Sequence, residues 1–399
     1  MAVNMLALLR IPNVRLLVIA QALGMSASSF GALLGGIIGT RIAPDPRYAT
    51  LPAALAIVGI ALASVPVALM MRRLGRRAGF SLAAAVATAG ALLAAIAVQQ
   101  ENFWLFSASS LLVGVNLAAT QQYRFAVTEN VRVEDMPRAV SLVLMGTLAA
   151  ALLGPFLANN ATAAAGLSRD AAAYISLAAV QGIAMLMLLK YRDVKEVEAA
   201  VKKTGRPFRA IVGDRGFVIA AAAAAVGFGV MTFLMTATPI AMHVMDGHAL
   251  THTATVIQLH IAAMYLPSLF SGALIRRFGE LWMIRAGIAI TLGCIALAFT
   301  GRGVMHYALA LILLGLGWNF LFVAGTTLLA RTHRPEERFR AQAANEFVVF
   351  ATSAAASLAA GFVVHASGWE FMLLLSVAPL VLLLMLTLFN RRYQFETSH

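Results

Sequence analysis

The sequence predicts an all-α polytopic membrane protein, with 12 transmembrane helices arranged as two pseudo-symmetric six-helix bundles. Two observations carry the prediction, an apolar composition and an internal repeat. Of the 399 residues, 61% are hydrophobic and 12% are charged, whereas a soluble domain is about 45–50% apolar and about 25% charged. So few charges exclude a soluble enzyme of this length, and the apolar content excludes a disordered chain.

Long apolar runs follow one another along the whole chain. A helix needs about 20 apolar residues to cross a bilayer. Runs rich in Ala, Leu and Gly favour helices, because the strands of a membrane barrel would be short and alternating. The predicted spans are 14–38, 51–71, 78–98, 103–123, 139–160, 170–189, 217–242, 254–275, 281–300, 307–330, 341–364 and 370–389.

The basic residues fall almost entirely on one side of this topology. The net charge is +13, and 26 of the 30 lysines and arginines lie at the termini, in the central loop or in every second loop between spans. The opposite loops hold only Arg41, Arg47, Arg169 and Arg302. This distribution is the positive-inside pattern. It places both termini in the cytoplasm, predicts the cytoplasmic (inner) membrane of a bacterium, and makes nucleic acid an unexpected partner.

The two halves of the chain repeat each other. Arg72-Arg73-Leu74-Gly75 returns as Arg276-Arg277-Phe278-Gly279, and Asn116 returns as Asn319, both at an offset close to 203 residues. A third match relates the loops that begin at Glu134 and Glu336. Repeats at one offset indicate two related bundles. The predicted organisation is therefore a bundle at 1–189, a cytoplasmic linker at 190–216 and a second bundle at 217–399 with a short cytoplasmic tail.

Methionine and histidine are concentrated in spans 7 and 8. Met231 and Met235 are four residues apart, as are His260 and Met264, so each pair lies on one helix face. With a helical rise of about 1.5 Å per residue, the two pairs lie at matching depth. The loop between them adds a possible outer gathering set: Met242, His243, Met245, His248 and His252.

Thioether and imidazole groups suit Cu(I), whereas zinc and manganese prefer thiolates or carboxylates. Methionine is also an ordinary core filler, and loop histidines are often solvated. A histidine inside a span is rare unless its ring has a polar partner or a function. The pattern therefore predicts a copper path through Met231, Met235, His260 and Met264. The single cysteine, Cys294, permits no disulfide within the chain.

The layout resembles the major facilitator superfamily along essentially the whole chain. The loops after spans 2 and 8 resemble its glycine- and arginine-rich loop signature, which corresponds to Arg72, Arg73, Gly75, Arg276, Arg277 and Gly279. The position usually held by an acid is Arg72 in one copy and Arg276 in the other. The resemblance implies a transporter that works by alternating access, with the signature residues acting in gating.

The paired motifs of spans 7 and 8 resemble those of the CcoA-like copper transporters. That resemblance implies import of copper to supply assembly of a cbb3-type cytochrome oxidase, with copper as substrate and no tightly bound cofactor. The expected partners are the copper ion, the lipid bilayer and a copper chaperone, and the chain is expected to act as a monomer. No nucleophile–base pair, phosphate loop or thiolate zinc site indicates an enzyme.

A second interpretation stays open. Gly146 and the Gly154-Pro155 pair in span 5 resemble the glycine-proline motif of antiporters in the same superfamily, although Ala150 and Ala158 replace further glycines. This alternative is a proton-coupled exporter of a drug or small organic metabolite. Very few carboxylates lie inside the spans, which counts against proton coupling.

Overall fold

The computed structural model describes residues 5–132, 135–163, 166–193, 205–334 and 337–389. Within these residues, ten helices are long and apolar enough to cross a membrane, and a bent pair makes an eleventh. The helix Arg338–Phe389 has 52 residues, or about 78 Å at 1.5 Å per residue, more than twice the ~30 Å of bilayer hydrocarbon. Gly368 divides it with a φ of 81° and a ψ of 176°, so the described chain forms twelve spans.

The observed spans agree with the predicted all-helical, twelve-span fold. Spans 2 and 3 share one helical run that Gly75 divides, and spans 11 and 12 share another that Gly368 divides. In order, the helices are Pro12–Ile42, Leu51–Gln99, Phe103–Thr128, Met136–Asn160, Arg169–Leu188, Arg215–Met245, Leu250–Tyr265 with Ser268–Phe278, Glu280–Ala298, Val304–Thr332 and Arg338–Phe389.

Three helices depart from the predicted bounds. Span 8 is broken and bent by 41° between Tyr265 and Ser268, because Pro267 lacks an N–H and its ring obstructs a regular helix. Span 7 extends beyond Pro239 through a π-helical segment, Ile240–Met245. Span 4 continues past a turn at residues 121–122 to Thr128, so Arg124 lies in the last turns of the span rather than in the following loop.

The chain forms two compact units: Met1–Glu196 with Ala249–Gln258, and Val197–His248 with Leu259–His399. The middle of the predicted linker, residues 194–204, lies outside the described residues. The described ends are each held by their own unit. Asn13 donates to the Arg192 carbonyl at 2.8 Å, and Arg206 bonds the buried Glu337 carboxylate at 2.8 Å.

Close helix contact in the N-terminal unit depends on small residues. At Gly154 of span 5, an added Cβ would collide with the side chain of Ser29 and would lie 2.6 Å from the Phe30 nitrogen in span 1. At Gly146, it would lie 2.6 Å from the Val18 carbonyl. The two glycines of the antiporter-like motif therefore allow spans 1 and 5 to approach closely.

Candidate functional site

The four predicted ligands of spans 7 and 8 lie within the C-terminal unit. Met231 is half-buried, while Met235, His260 and Met264 are buried. Each pair shares a helix face, as the spacing predicts. Span 7 packs against span 10 and against the helix Arg338–Phe389. His260 of span 8 also bonds span 10, at the carbonyl oxygen of Leu311.

His260 is fully buried, and its two ring nitrogens have different environments. Nδ1 lies 2.8 Å from the carbonyl oxygen of Leu311 in span 10. A carbonyl oxygen only accepts hydrogen bonds, so Nδ1 carries a proton, and in the neutral ring Nε2 carries the lone pair. Within the described residues, Nε2 has no hydrogen-bond partner. His260 therefore ties two spans together and retains one buried acceptor.

The predicted outer gathering set is mostly occupied by structural contacts. His243 Nδ1 lies 2.7 Å from the His248 carbonyl, and His248 Nε2 lies 2.7 Å from the Arg302 carbonyl. Met242 is fully buried, whereas Met245 and His252 are exposed. In the described parts of the chain, no three His, Cys, Asp or Glu side chains form a group that would hold a metal.

Arg302 organises the loops at this end of the C-terminal unit. Its guanidinium bonds Glu370 at 2.6 Å and Asp246 at 3.0 Å. Asp246 also accepts from the Tyr307 hydroxyl at 2.8 Å. The hydrogen bond to Glu370, assisted by Asp246, holds the pKa of Arg302 above its usual value. The loops after spans 7, 9 and 11 are therefore linked through one cation.

The loop signature has the same backbone in both units. Gly75 has a φ of 85° and a ψ of 162°, and Gly279 has 83° and 163°. Only glycine adopts this region readily. Arg73, Arg276 and Arg277 are exposed, and the side chain of Arg72 lies outside the described part of the chain. The shared geometry means that each signature loop turns on its glycine.

The residue after each signature glycine makes an ion pair, and the two pairs have opposite polarity. In the first copy, Arg76 bonds Glu129 beyond the end of span 4 at 2.8 Å. In the second copy, Glu280 pairs with Arg331 at the end of span 10 at 3.0 Å. These positions are related by the offset of the sequence repeat. Each unit therefore ties its signature loop to the equivalent helix end with the charges exchanged.

The two repeated asparagines are both buried but have different partners. Asn116 donates to the Gln181 side chain of span 6 at 2.9 Å. Asn319 donates to the Met264 carbonyl and to the Ser268 hydroxyl, both at 2.7 Å. Its carbonyl oxygen accepts from Ser271, also at 2.7 Å. Asn319 therefore holds both sides of the break in span 8.

Five aromatic side chains meet where spans 7, 8, 10 and 11 come together. We call them the ring cluster: Phe228, Tyr265, Trp318, Phe322 and Phe350. Trp318 and Phe322 stack with ring centroids 4.9 Å apart, and the Phe228 ring lies 5.0 Å from Trp318 in an edge-to-face arrangement. Tyr265 reaches Trp318 at 5.9 Å. Asn319 follows Trp318 in sequence and fixes the helix end that carries Tyr265.

The spacing of residues along the chain did not predict the ring cluster. Its strongest local signal is the pair Trp318 and Phe322, four residues apart on span 10. Phe228 lies three residues before Met231 on span 7, and Tyr265 directly follows Met264. The predicted methionines lie on two of the helices that carry these rings, whereas the aromatic residues beside them were treated as ordinary apolar content.

The fold and the repeated loops define a class first: a membrane carrier built from two repeated six-helix units. The Major Facilitator Superfamily model matches residues 16–321 and 249–397, so the chain belongs to that superfamily. It is a transporter embedded in a lipid bilayer and not an enzyme.

Among curated relatives, the chain is 38% identical over 381 residues to the riboflavin transporter RfnT of Brucella anthropi, covering 95% of each chain. It is 29% identical to the uncharacterised transporter YddS of Bacillus subtilis, covering 94% of this chain and 89% of that one.

Solved structures share the fold at low identity. The nucleoside transporter NupG superposes with a TM-score of 0.73 at 14% identity, covering 94% of this chain and 98% of the other. A bacterial homologue of the lysosomal transporter Spinster gives 0.74 at 14% identity, covering 95% and 96%. At this identity, the likeness shows the fold alone.

The prediction of copper import is wrong. A relative that matches nearly the whole chain at 38% identity transports riboflavin, a small organic molecule. The resemblance to the CcoA-like transporters rested on four residues, and two pairs at a spacing of four occur readily in methionine-rich membrane helices. The predictions that the protein supplies copper for oxidase assembly and that a copper chaperone is its partner depended on copper import, and we withdraw both. The alternative interpretation named the better substrate class.

Proposed function

We propose that this protein carries riboflavin, or a closely related uncharged flavin, across the membrane. The observation that carries the proposal is the 38% identity to a riboflavin transporter over 95% of both chains. The substrate class is that of a small organic metabolite. Export and proton coupling, which the sequence alternative included, are not part of the proposal.

The charges of the spans suit an uncharged substrate. Every arginine of the described spans lies within about two turns of a helix end or of a signature glycine, and no described span contains a lysine. A phosphorylated substrate would need cations inside the membrane to offset its desolvation. Riboflavin is neutral at pH 7, whereas its phosphate ester is an anion. The distribution therefore favours the free vitamin.

The proposed placement is the cytoplasmic membrane of a bacterium, with both termini in the cytoplasm and the carrier acting as a monomer. The basic loops support this orientation. On the opposite side, the few arginines are paired with acids or carbonyls. Arg41 pairs with Asp170 at 2.6 Å, and Arg302 pairs with two carboxylates. These pairs leave that surface with little net positive charge.

The test is uptake of labelled riboflavin by a bacterium that neither synthesises nor imports the vitamin. Expression of the chain should permit growth on low riboflavin and raise the initial rate of uptake above that of cells with an empty vector. Excess unlabelled riboflavin should abolish labelled uptake, whereas the phosphate ester should compete weakly. Uptake equal to that of the empty vector, with the protein present in the membrane, would contradict the proposal.

A further inference from the structure

The ring cluster differs in its exposure from the aromatic pairs that are packed in the core of the N-terminal unit. In the N-terminal unit, Phe30 and Tyr174 meet at 4.9 Å, and Phe80 and Tyr123 meet at 4.7 Å. All four of those rings are buried, as expected for core packing. In the ring cluster only Trp318 is buried, and the other four residues keep part of their surface accessible. Four half-buried rings around one buried ring are not a closed core.

Trp318 lies at the centre of the cluster and carries a polar group without a partner. The side chain is 3% exposed, and within the described residues its Nε1 donor has no acceptor. A buried indole N–H usually finds an acceptor, because leaving it unbonded costs free energy. The unpaired donor is therefore an observation independent of the ring geometry, and it indicates a ligand that brings an acceptor.

The cluster is built from four different spans, and its geometry is fixed by neighbouring contacts. The broken end of span 8 presents Tyr265, and Asn319 holds that end through the Met264 carbonyl. Phe228 reaches both residues of the stacked pair, at 5.0 Å to Trp318 and 5.5 Å to Phe322. Rings that are held in place before binding lose little conformational entropy when a ligand arrives.

We propose that the ring cluster binds the planar heteroaromatic ring of the transported substrate, with Trp318 Nε1 donating a hydrogen bond to a carbonyl oxygen or ring nitrogen of that substrate. This inference rests on the proposed function and assigns its binding residues. The tricyclic ring of a flavin has two apolar faces for stacking and several edge acceptors. A planar ring stacks well on aromatic side chains, and its edge supplies the acceptor that Trp318 lacks.

The experiment measures flavin binding by the purified full-length protein. Two probes are used: riboflavin, and lumichrome, which has the ring without the ribityl chain. Binding is followed by the quenching of flavin fluorescence that accompanies stacking. Trp318→Leu removes the aromatic ring and the donor, whereas Trp318→Phe removes the donor but keeps a smaller aromatic ring. Trp282→Leu is the matched control, because Trp282 stacks on Phe278 at 4.6 Å elsewhere in the same unit and is 41% exposed.

Trp318→Leu should raise the dissociation constant of both probes by about tenfold or more, as expected when a stacked ring and a hydrogen bond are lost. Trp318→Phe should give a smaller increase, and Trp282→Leu should bind as the unsubstituted protein does. Phe322→Leu, at a half-buried position, provides a second test if Trp318→Leu fails to fold. Its dissociation constants should rise for both probes.

Two negative results have different meanings. If the unsubstituted protein binds riboflavin and the folded Trp318 and Phe322 variants bind both probes equally well, the ring cluster is not the binding site and the proposed function stands. If the unsubstituted protein binds neither riboflavin nor lumichrome, the proposed function fails and this assignment fails with it.

Discussion

Gly75 and Gly279 are the residues at which the two signature loops turn, and both adopt a backbone that other residues rarely reach. At Gly75 the space is also restricted. An added Cβ would lie 2.7 Å from the Asp193 carboxylate, which accepts from the Arg77 backbone N–H at 2.9 Å. The conformation and the neighbouring carboxylate together explain why glycine occupies this position.

Gly75→Ala should lower the stability of the folded protein by about 1–3 kcal/mol, the usual cost of such a backbone conformation for a residue with a side chain. Gly293→Ala is the matched control, because it lies in span 9 with no neighbouring atom close to an added Cβ. There, alanine should be neutral or slightly stabilising. Thermal unfolding in detergent measures both. Equal melting temperatures for the two variants would contradict this account.

The contacts of Glu337 lead to a second prediction at the residue scale, about stability and pH. The Arg206 guanidinium, helped by backbone donors at Arg334 and Arg206, holds the pKa of the buried Glu337 carboxyl far below its usual value. A lowered pKa means that the contact stabilises the protein above the ordinary carboxyl pKa. The stabilisation is lost as the pH falls through the lowered value.

Glu337→Gln should therefore lower the melting temperature by a constant amount between about pH 6 and 8. The difference from the unsubstituted protein should shrink only in acid, below the ordinary glutamate range. Glu101→Gln is a suitable control, because Glu101 is exposed and lies in a loop. A difference that is already absent at neutral pH would show that the ion pair contributes nothing to stability.

At the scale of helices, each unit ties its signature loop to a helix end by an ion pair of opposite polarity, Arg76 with Glu129 and Glu280 with Arg331. Partly exposed ion pairs contribute little to stability, typically about 0–1 kcal/mol. Their larger effect is on geometry, because a like-charge pair would separate the loop from the helix. The exchanged polarity means that charge complementarity, rather than one charge at one position, has been retained in both copies.

Glu129→Arg should therefore reduce transport, since it places a cation beside Arg76. The double variant Arg76→Glu with Glu129→Arg has the polarity of the second copy and should recover most of the activity. The initial rate of riboflavin uptake, normalised to the amount of protein in the membrane, measures both. A double variant no better than the single one would contradict the complementarity argument.

Most helices could be predicted from the sequence, because hydropathy over about 20 residues is a strong signal in lipid. The break in span 8 could not be placed, since Pro267 alone does not distinguish a kink from a regular membrane helix. Arg124 was expected to flank the loop after span 4, because the predicted span ended at residue 123, whereas the helix continues to Thr128. The ring cluster was harder to predict than the helices. Its rings come from four spans, and no sequence spacing shows that Phe228, Trp318 and Phe350 meet.

The paired methionines illustrate the same limit. Met231 and Met235 do share a helix face, as predicted, but a shared face does not identify a substrate. The proposed substrate class rests on comparison over nearly the whole chain. Residue spacing tests local geometry, whereas transport specificity depends on how several helices combine.

At the scale of the whole molecule, the distribution of basic residues predicts orientation. In a Cys294→Ser background, Leu74→Cys and Thr251→Cys place single exposed thiols on opposite sides of the predicted membrane. A membrane-impermeant maleimide should label Thr251→Cys in intact cells and Leu74→Cys only after permeabilisation. Labelling of Leu74→Cys in intact cells would reverse the predicted topology.

Counterflow in proteoliposomes that contain only the purified protein shows whether this carrier moves a flavin. Vesicles loaded with unlabelled riboflavin are diluted into a trace of labelled riboflavin. We expect a transient accumulation of label above its equilibrium level, which unlabelled riboflavin outside the vesicles suppresses. Label that only equilibrates, as in protein-free vesicles, would contradict the claim.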